Sequence, residues 1–316
     1  MKVVIVGRFS DSARQRIAGA FPGEWKVVLA SAEDMAAHLA DADVLIPEHL
    51  PIDGPLLDGA KRLRLVQTGA GSDNVNIAEC TQRGVFVAHA RGVNAGAVAE
   101  HVFAFILSWF KNIIRLDQAM KQGAYDVEYV GAELSGKALG IVGLGSIGQE
   151  VGRLGRAFRM RVIGCHRRPI AVAPDMELVD LPTLLQRSDI VTLHASLQQM
   201  TRRMIGRKEL ALMKRDALLV NTSRGPIIDE GALIEALEQG QIGGAALDVF
   251  ETEPLPEDSP LRGMRNVILT PHTAGMPDGF RFHQKRYEFF VENIRRVGEG
   301  LPPANVLNQM LRGRMS

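Results

Sequence analysis

Short apolar runs rich in β-branched residues recur along the chain, and stretches with helical spacing of apolar positions separate them. In the first part of the chain these runs lie at residues 3–6, 27–30, 44–46, 64–68 and 85–88. Strands that alternate with helices in this way form parallel sheets. The pattern therefore predicts a parallel α/β unit in the N-terminal part of the chain.

A second alternation begins near residue 139. Its predicted strands lie at 140–142, 161–165, 190–194, 217–221, 244–249 and 267–269, and its predicted helices at 146–158, 180–187, 207–214 and 229–239. One long helical pattern at 94–122 joins the two alternations, and a last helix is predicted at 278–297. The chain is therefore predicted to be an α/β protein with two doubly wound parallel-sheet domains.

The turn after the first strand of the second alternation has the spacing Gly143-x-Gly145-x-x-Gly148. In a dinucleotide-binding turn, the first glycine permits the tight turn, the second lets a pyrophosphate approach the backbone, and the third lets helix and strand pack closely. The phosphates then lie at the helix N-terminus, beside Ser146 and Ile147. In a chain with 32 glycines the spacing can arise without function. The strand before it and the helix after it favour a nucleotide site.

The composition is that of an ordinary globular protein. Hydrophobic residues make up 46% of the 316 and charged residues 23%, and the net charge is +1, so nothing favours nucleic acid or a membrane surface as partner. Cys80 and Cys165 lack metal-ligand spacing, which predicts free thiols in a reducing compartment. The apolar runs are too short for a signal peptide or a membrane span. We therefore expect a cytoplasmic protein without a metal.

Polar side chains follow the predicted strands of the second unit, where a doubly wound sheet binds its ligands. Arg224, Glu253 and His272 occupy such positions. Taken singly, they could be a surface arginine, a loop carboxylate and a loop histidine. Taken together, they have the chemistry that hydride transfer to a 2-oxo acid needs. A guanidinium grips a carboxylate, a histidine exchanges the alcohol proton, and a carboxylate raises the pKa of that histidine.

A glycine-containing turn, residues 68–74, follows a predicted strand of the first unit. Gly69 and Gly71 could leave backbone N–H groups free to bind an anion. Alternatively, the segment is a tight turn with a side-chain cap from Asp73 or Asn74.

Six stretches carry a resemblance to a known family. They are 69–73 (GAGSD), 98–101 (VAEH), 134–148 (LSGKALGIVGLGSIG), 221–225 (NTSRG), 246–254 (ALDVFETEP) and 271–275 (PHTAG). In this order they resemble the D-isomer-specific 2-hydroxyacid dehydrogenase family over nearly the whole chain.

The resemblance implies a role for each site residue. Arg224 would bind the substrate carboxylate and carbonyl, His272 would be the acid/base, and Glu253 would be its partner. Asp248 would lie near the nicotinamide, and the backbone of Ala70 and Gly71 would help to hold the carboxylate.

The resemblance also implies a domain arrangement. A flavodoxin-like substrate domain would comprise residues 1–97 plus 286–316, with a Rossmann cofactor domain, residues 98–285, inserted in it. The family further implies a cleft that closes on ligand, and a homodimer.

The chain departs from the family pattern at several places, two of which concern cofactor choice and backbone strain. NAD-preferring members have an acidic residue after the second strand of the cofactor domain, whereas this chain has His166, Arg167 and Arg168. A carboxylate would repel the 2′-phosphate of NADP and guanidinium groups would attract it, so we predict NADP over NAD. The alternative is a solvated basic turn. Arg159 stands where relatives usually have a glycine that closes the helix, and a left-handed conformation there would cost roughly 1 kcal/mol.

These observations predict an oxidoreductase that transfers a hydride from NADPH to a small 2-oxo acid such as glyoxylate or hydroxypyruvate. Two alternatives stay open. One is a dehydrogenase of another acid, such as 3-phosphoglycerate. The other is a nucleotide-sensing binding protein of the corepressor type that shares this fold.

Overall fold

Two parallel sheets organise the protein, as a computed structural model shows. The structure describes residues 1–7, 9–47, 50–69, 71–125, 131–167, 170–276 and 284–314. The chain divides into two compact units. The first comprises Met1–Asn94 with Met276–Ser316, and the second comprises Ala95–Gly275.

The first unit is built on five parallel strands. They are β1 (Lys2–Val6), β2 (Lys26–Ala30), β3 (Val44–Pro47), β4 (Leu65–Thr68) and β5 (Phe86–His89). The helices are α1 (Asp11–Gly19), α2 (Ala36–Leu39), α3 (Gly54–Gly59) and α4 (Ile77–Gln82), together with α11 (Gln284–Gly298) near the end of the chain. The strand order β2-β1-β3-β4-β5 is flavodoxin-like.

The second unit is built on seven parallel strands. They are β6 (Ala138–Val142), β7 (Arg161–Cys165), β8 (Glu177–Leu178), β9 (Ile190–Leu193), β10 (Leu218–Asn221), β11 (Gly244–Leu247) and β12 (Val267–Leu269). The helices are α5 (Ala95–Phe110), α6 (Ile113–Lys121), α7 (Ser146–Ala157), α8 (Leu181–Arg187), α9 (Arg207–Leu210) and α10 (Glu230–Glu238). The order β12-β11-β10-β9-β6-β7-β8 is that of a Rossmann sheet with one further strand. The predicted fold class is confirmed. The sequence placed the domain boundaries at 97/98 and 285/286, which fall within α5 and α11.

An apolar layer packs against each face of both sheets. Successive residues of a strand point to opposite faces and therefore enter different layers. In the first unit, Ile5 packs in the cluster that includes Phe290 of α11, whereas Val4 packs with Leu57 of α3 on the other face. In the second unit, Ile141 packs with Ile106 of α5. Its neighbour Val142 packs with Leu233 of α10. Continuous apolar runs were therefore the right signal for these strands.

The predicted single helix over 94–122 is wrong. It is two helices, α5 and α6, because Asn112 between them takes a left-handed conformation with φ of 51°. Asparagine tolerates that conformation better than most residues. Among the described residues, no single helix is long and apolar enough to cross a membrane, and only α5 and α6 counted together pass that test, with a bend of 59° between them.

Three other predictions differ from the structure in detail. The predicted helix 207–214 is shorter, since α9 ends at Leu210 and tighter i to i+3 turns follow. The exposed edge strand β8 was not predicted, because two residues are too few to show a pattern. The last predicted helix begins at Gln284, and residues 278–283 lie outside the described part of the chain.

Candidate active site

The glycine-rich turn after β6 has the backbone geometry of a dinucleotide-binding turn. Gly143 has φ of +97°, and a Cβ there would lie 2.7 Å from the backbone carbonyl carbon of His194. A Cβ on Gly148 would lie 2.1 Å from the carbonyl oxygen of Gly143, so only glycine permits this close packing. By contrast, a Cβ on Gly145 would meet nothing within 4 Å. That open side leaves room for a pyrophosphate.

Helix α7 begins directly after this turn, with Gly145 as its N-cap residue. Ser146 is exposed and Ile147 is half-buried at its first turn. The first N–H groups of a helix lack partners within the helix, and its dipole favours negative charge there. The turn and the helix N-terminus thus fit the diphosphate of a nicotinamide dinucleotide.

The basic turn after β7 lies next to this loop. Nδ1 of His166 accepts a hydrogen bond of 3.2 Å from the backbone N–H of Leu144. Arg167 is exposed, with Nη1 3.5 Å from Oε1 of Gln198. Arg168 lies outside the described residues. The structure therefore brings His166 to the nucleotide turn and leaves Arg167 on the surface.

A buried asparagine shapes the loop that carries Arg224. The Asn221 side chain donates to the carbonyl oxygen of Arg224 at 3.0 Å and accepts from the hydroxyl of Ser223 at 2.7 Å. Gly225 follows, where a Cβ would lie 1.9 Å from the backbone of Phe250. The half-buried Arg224 guanidinium donates to the carbonyl oxygen of Ser223 at 2.7 Å. This segment is thereby held against the loop that follows β11.

The carboxylate of Asp248, only 1% exposed, organises the segment that carries His272. Its Oδ1 accepts from the hydroxyl of Thr270 at 2.6 Å and from the backbone N–H of Thr273 at 2.8 Å. Its Oδ2 accepts from the N–H of Ala274 at 2.9 Å. The main chain of Asp248 accepts from the N–H of His272 at 2.8 Å. Asp248 therefore lies beneath the segment and fixes its path.

Glu253 and His272 form a hydrogen-bonded pair. Oε2 of Glu253 lies 2.7 Å from Nδ1 of His272, and both side chains are 36% exposed. The other carboxylate oxygen accepts from the N–H of Phe250 at 3.1 Å. His272 has φ of +54°, a conformation that costs a non-glycine residue about 1–2 kcal/mol. The contacts with Asp248 hold the residue in this conformation.

The pKa of Glu253 is set by opposing influences. Burial raises it, while the hydrogen bond and charge of His272, the amide of Phe250 and the charge of Arg224 lower it, and the pKa lies below its ordinary 4.5. An ionised Glu253 at neutral pH fixes His272 with the proton on Nδ1 facing the carboxylate. The ring's Nε2 then lies on the side away from the carboxylate.

Two residues beside Asp248 were not singled out from the sequence. Nε2 of His101 on α5 lies 3.0 Å from Oγ1 of Thr270, and 3.8 Å from Oδ1 of Asp248. His101 ends the VAEH stretch and Thr270 directly follows a predicted strand, but neither side chain was assigned a role from the sequence. The long separation in sequence hides the pairing.

His194, after β9, was also missed. Its Nε2 lies 2.9 Å from the hydroxyl of Thr192, and its buried Nδ1 has no partner among the residues that the structure describes. Burial lowers the pKa of His194 to about 3, so the ring is neutral. Its backbone borders Gly143, which places it at the nucleotide turn.

The turn after β4 in the first unit is braced by side chains. Asn74 donates to the carbonyl oxygen of Leu50 at 2.6 Å. Asn76 caps the following helix α4 by accepting from the N–H of Glu79. Gly71 is half-buried, and Ala70 lies outside the described residues.

Comparison with known proteins identifies the family. Residues 103–274 match the family described as D-isomer specific 2-hydroxyacid dehydrogenase, NAD binding domain. A glyoxylate reductase of Thermofilum pendens is 38% identical over 296 residues, which cover 90% of this chain and 87% of that protein. The chain belongs to the D-isomer-specific 2-hydroxyacid dehydrogenase family.

Two further proteins that are similar to this chain carry other names. A D-3-phosphoglycerate dehydrogenase of Methanocaldococcus jannaschii is 38% identical over 283 residues, 87% of this chain but 53% of that protein. The solved structure of an acyclic imino acid reductase (Bsp5) in complex with NADPH and D-Arg has a TM-score of 0.84 at 29% identity, covering 97% of this chain and 100% of that one.

As a member of this family, the protein is an NAD(P)-dependent oxidoreductase of the 2-hydroxyacid dehydrogenase class, and its second unit is a nicotinamide-cofactor domain. Within that unit the structure brings together the glycine turn and His166 at one place, and Glu253, His272 and Asp248 at another. The family resemblance and the Rossmann sheet were both predicted, and both are confirmed.

Proposed function

We propose that this dehydrogenase reduces a small 2-oxo acid to the D-2-hydroxy acid with NADPH. The observation that carries the proposal is the 2.7 Å contact between Glu253 and His272 on a segment that Asp248 fixes, within a nicotinamide-cofactor domain. Glyoxylate and hydroxypyruvate are the substrates that we favour. A relative 38% identical over most of its length is a glyoxylate reductase.

His272 acts as the proton donor in this proposal. When bound, the reduced cofactor supplies a hydride to C2 of the 2-oxo acid. The protonated imidazole of His272 gives its Nε2 proton to the carbonyl oxygen, which would otherwise become an alkoxide. The ionised Glu253 stabilises the imidazolium before transfer and holds the ring's orientation throughout.

Arg224 binds the substrate in this proposal. A guanidinium presents a planar fork that holds a carboxylate through two parallel hydrogen bonds, and it polarises the adjacent carbonyl. The backbone at Ala70 and Gly71 is proposed as a second ligand for the carboxylate. Asp248 is proposed to lie on the nicotinamide side of the site. Its main role in this proposal is to hold the segment that carries His272.

The choice of NADPH rests on the basic turn after β7. His166 borders the nucleotide turn, and Arg167 supplies an exposed cation beside it. No carboxylate occupies residues 166–168 to bind the ribose hydroxyls of NAD or repel a 2′-phosphate. Arg168 is proposed as a second phosphate ligand from its sequence position.

The proposed homodimer has support from α6. Of the described residues of this helix none is buried, and Ile113, Ile114 and Met120 are 51%, 42% and 55% exposed. A row of exposed large apolar side chains is typical of a surface that a partner covers. Sedimentation equilibrium would test for the homodimer.

A cytoplasmic location remains a prediction.

The deciding experiment follows the absorbance of the reduced nicotinamide. NADPH and NADH are each tested against glyoxylate, hydroxypyruvate, pyruvate and a phenyl-substituted 2-oxo acid. We expect turnover with NADPH on the small acids. If all these combinations were silent while NADPH still bound, the reductase proposal would fail and the corepressor-type binding protein would replace it. No turnover with these acids, but a gain of the same absorbance when 3-phosphoglycerate is supplied with NAD or NADP, would instead favour the phosphoglycerate alternative, although this chain spans about half of that relative.

A further inference from the structure

A three-member hydrogen-bonded chain leads from α5 to the segment that carries His272. Nε2 of His101 lies 3.0 Å from Oγ1 of Thr270, and that hydroxyl lies 2.6 Å from Oδ1 of Asp248. His101 is 22% exposed and Asp248 is 1% exposed, so little water reaches the inner end. His101 and Thr270 are 169 residues apart in the chain.

The direction of the hydrogen bonds follows from counting protons. Both oxygens of Asp248 accept backbone N–H groups, which is the pattern of an ionised carboxylate. The single hydroxyl proton of Thr270 therefore goes to Asp248. Its oxygen can then only accept from His101, so the imidazole must carry a proton on Nε2. Burial lowers the pKa of His101 against the opposing charge of Asp248, so near neutral pH the ring has one proton and its tautomer matters.

We propose that His101 is a positioning residue, which through Thr270 fixes the Asp248 carboxylate and with it the segment 270–274 that holds His272 in its left-handed conformation. The proposal rests on the role of His272 under the proposed function. Helix α5 thereby helps to position the acid–base residue His272. The proposed function itself gives no α5 side chain a contact with the substrate.

Packing alone is the competing explanation. The imidazole of His101 meets the ring of Phe105 edge to face, with centroids 4.6 Å apart and planes at 83°. An apolar side chain of similar size would preserve such packing but would leave the Thr270 oxygen without its donor. The two explanations therefore differ in what they predict for substitutions that keep or remove an N–H.

Matched substitutions separate the two. His101→Gln retains a donor near the position of Nε2, whereas His101→Leu retains bulk only. Thr270→Ser retains the hydroxyl, and Thr270→Val removes it. We expect His101→Leu and Thr270→Val each to lower kcat about tenfold, as the loss of one buried hydrogen bond implies, with unchanged dinucleotide affinity. His101→Gln and Thr270→Ser should stay within about threefold of the parent. In the double variant His101→Leu with Thr270→Val the losses should not add, because the residues act as one chain.

Two readouts do not depend on turnover. Long-range proton–nitrogen NMR spectra of the histidine side chains should show His101 as the Nε2–H tautomer. Amide exchange at Thr273 and Ala274, which donate to Asp248, should be faster in His101→Leu than in His101→Gln. If no 2-oxo acid is turned over, these readouts still test the chain while the proposed function fails separately.

Three results would overturn the inference. The first is an Nδ1–H tautomer, which would require the Thr270 hydroxyl to point away from Asp248. The second is equal kcat and equal amide exchange in His101→Leu and His101→Gln, which would leave packing as the role of the ring. The third is a simple sum of the two single losses in the double variant.

Discussion

Oε2 of Glu253 lies 2.7 Å from Nδ1 of His272 across 19 residues of sequence. The two side chains are equally exposed, and each residue makes a further hydrogen bond of its own. Glu253 accepts the N–H of Phe250, and the N–H of His272 is held by the main chain of Asp248. A carboxylate placed in this way orients the imidazole ring, with Nδ1 facing Glu253.

Replacing His272 by alanine should remove the proton donor and leave the nucleotide turn intact. We expect NADPH affinity, measured by fluorescence titration, to be unchanged. Turnover should fall roughly 100- to 10,000-fold, the usual contribution of a positioned general acid. The matched control is His38→Ala, a half-buried histidine of the first unit. Turnover of His272→Ala near the level of that control would refute the assignment.

The carboxylate of Glu253 should make stability depend on pH in a defined direction. Its pKa in the folded protein lies below the ordinary 4.5, so the ionised form stabilises the fold. That stabilisation is present in full above the ordinary pKa and disappears as the pH falls through the folded pKa.

The comparison is the free energy of unfolding of the parent minus that of Glu253→Gln, obtained from urea titrations at a series of pH values. The difference should be constant above about pH 5 and shrink below the ordinary pKa. A difference that grows on acidification would contradict the direction of the shift.

Alanine substitutions at two glycines of the nucleotide turn should have different effects on stability and on NADPH binding. Gly148→Ala places a methyl group 2.1 Å from the Gly143 carbonyl oxygen, which should destabilise the second unit by about 1–3 kcal/mol. Gly145→Ala meets nothing within 4 Å, so its fold should be retained while NADPH binding weakens. Thermal unfolding and cofactor titration of the two proteins give the test. If the folded Gly145→Ala protein bound NADPH with unchanged affinity, the pyrophosphate would have to bind away from Gly145.

Removing the basic turn should change the choice of cofactor. In Arg167→Ala with Arg168→Ala, we expect the KM for NADPH to rise roughly tenfold or more, because charge-assisted contacts to phosphate are lost, with little change for NADH. The control Arg153→Ala with Arg187→Ala removes the same charge from exposed ion pairs with Glu150 and Glu177. Equal effects on the two cofactors would favour the solvated basic turn.

Arg159 takes the left-handed conformation that its position after α7 suggested, with φ of 57°. It is exposed, and its N–H donates to the carbonyl oxygen of Arg156 at 2.8 Å. Arg159→Gly should therefore relieve backbone strain and stabilise the protein by up to about 1 kcal/mol, partly offset by the freedom that glycine has when unfolded. Chemical denaturation of the two proteins measures it, and turnover should not change. A lower free energy of unfolding in Arg159→Gly would show that the arginine side chain stabilises the fold by more than its left-handed backbone conformation costs.

Much of the fold could be predicted because its signals are local. A strand buried on both faces is a short apolar run, as β6 and β9 show, and parallel order follows from alternation with helices. The turn at Gly143–Gly148 could be predicted for the same reason, since φ at Gly143 and the approach at Gly148 depend on residues within one βα unit. The family followed from motifs of the same local kind.

The site was only partly accessible in this way. That Arg224, Glu253 and His272 follow strands of one sheet was clear from the sequence, but the 2.7 Å pairing of the last two needed the structure. The break at Asn112 was hidden because helical spacing continues on both sides of it.

The sequence by itself determined two doubly wound sheets, the nucleotide turn and the strand edge at which the chemistry collects, because each depends on periodicity or on glycine spacing. Only the tertiary structure decided how the segment of His272 is held. The carboxylate of Asp248 bonds to Thr273 and Ala274, and through Thr270 to His101. Such contacts join residues far apart in the chain, and their distance and direction depend on how α5 packs against the sheet, which no local pattern encodes.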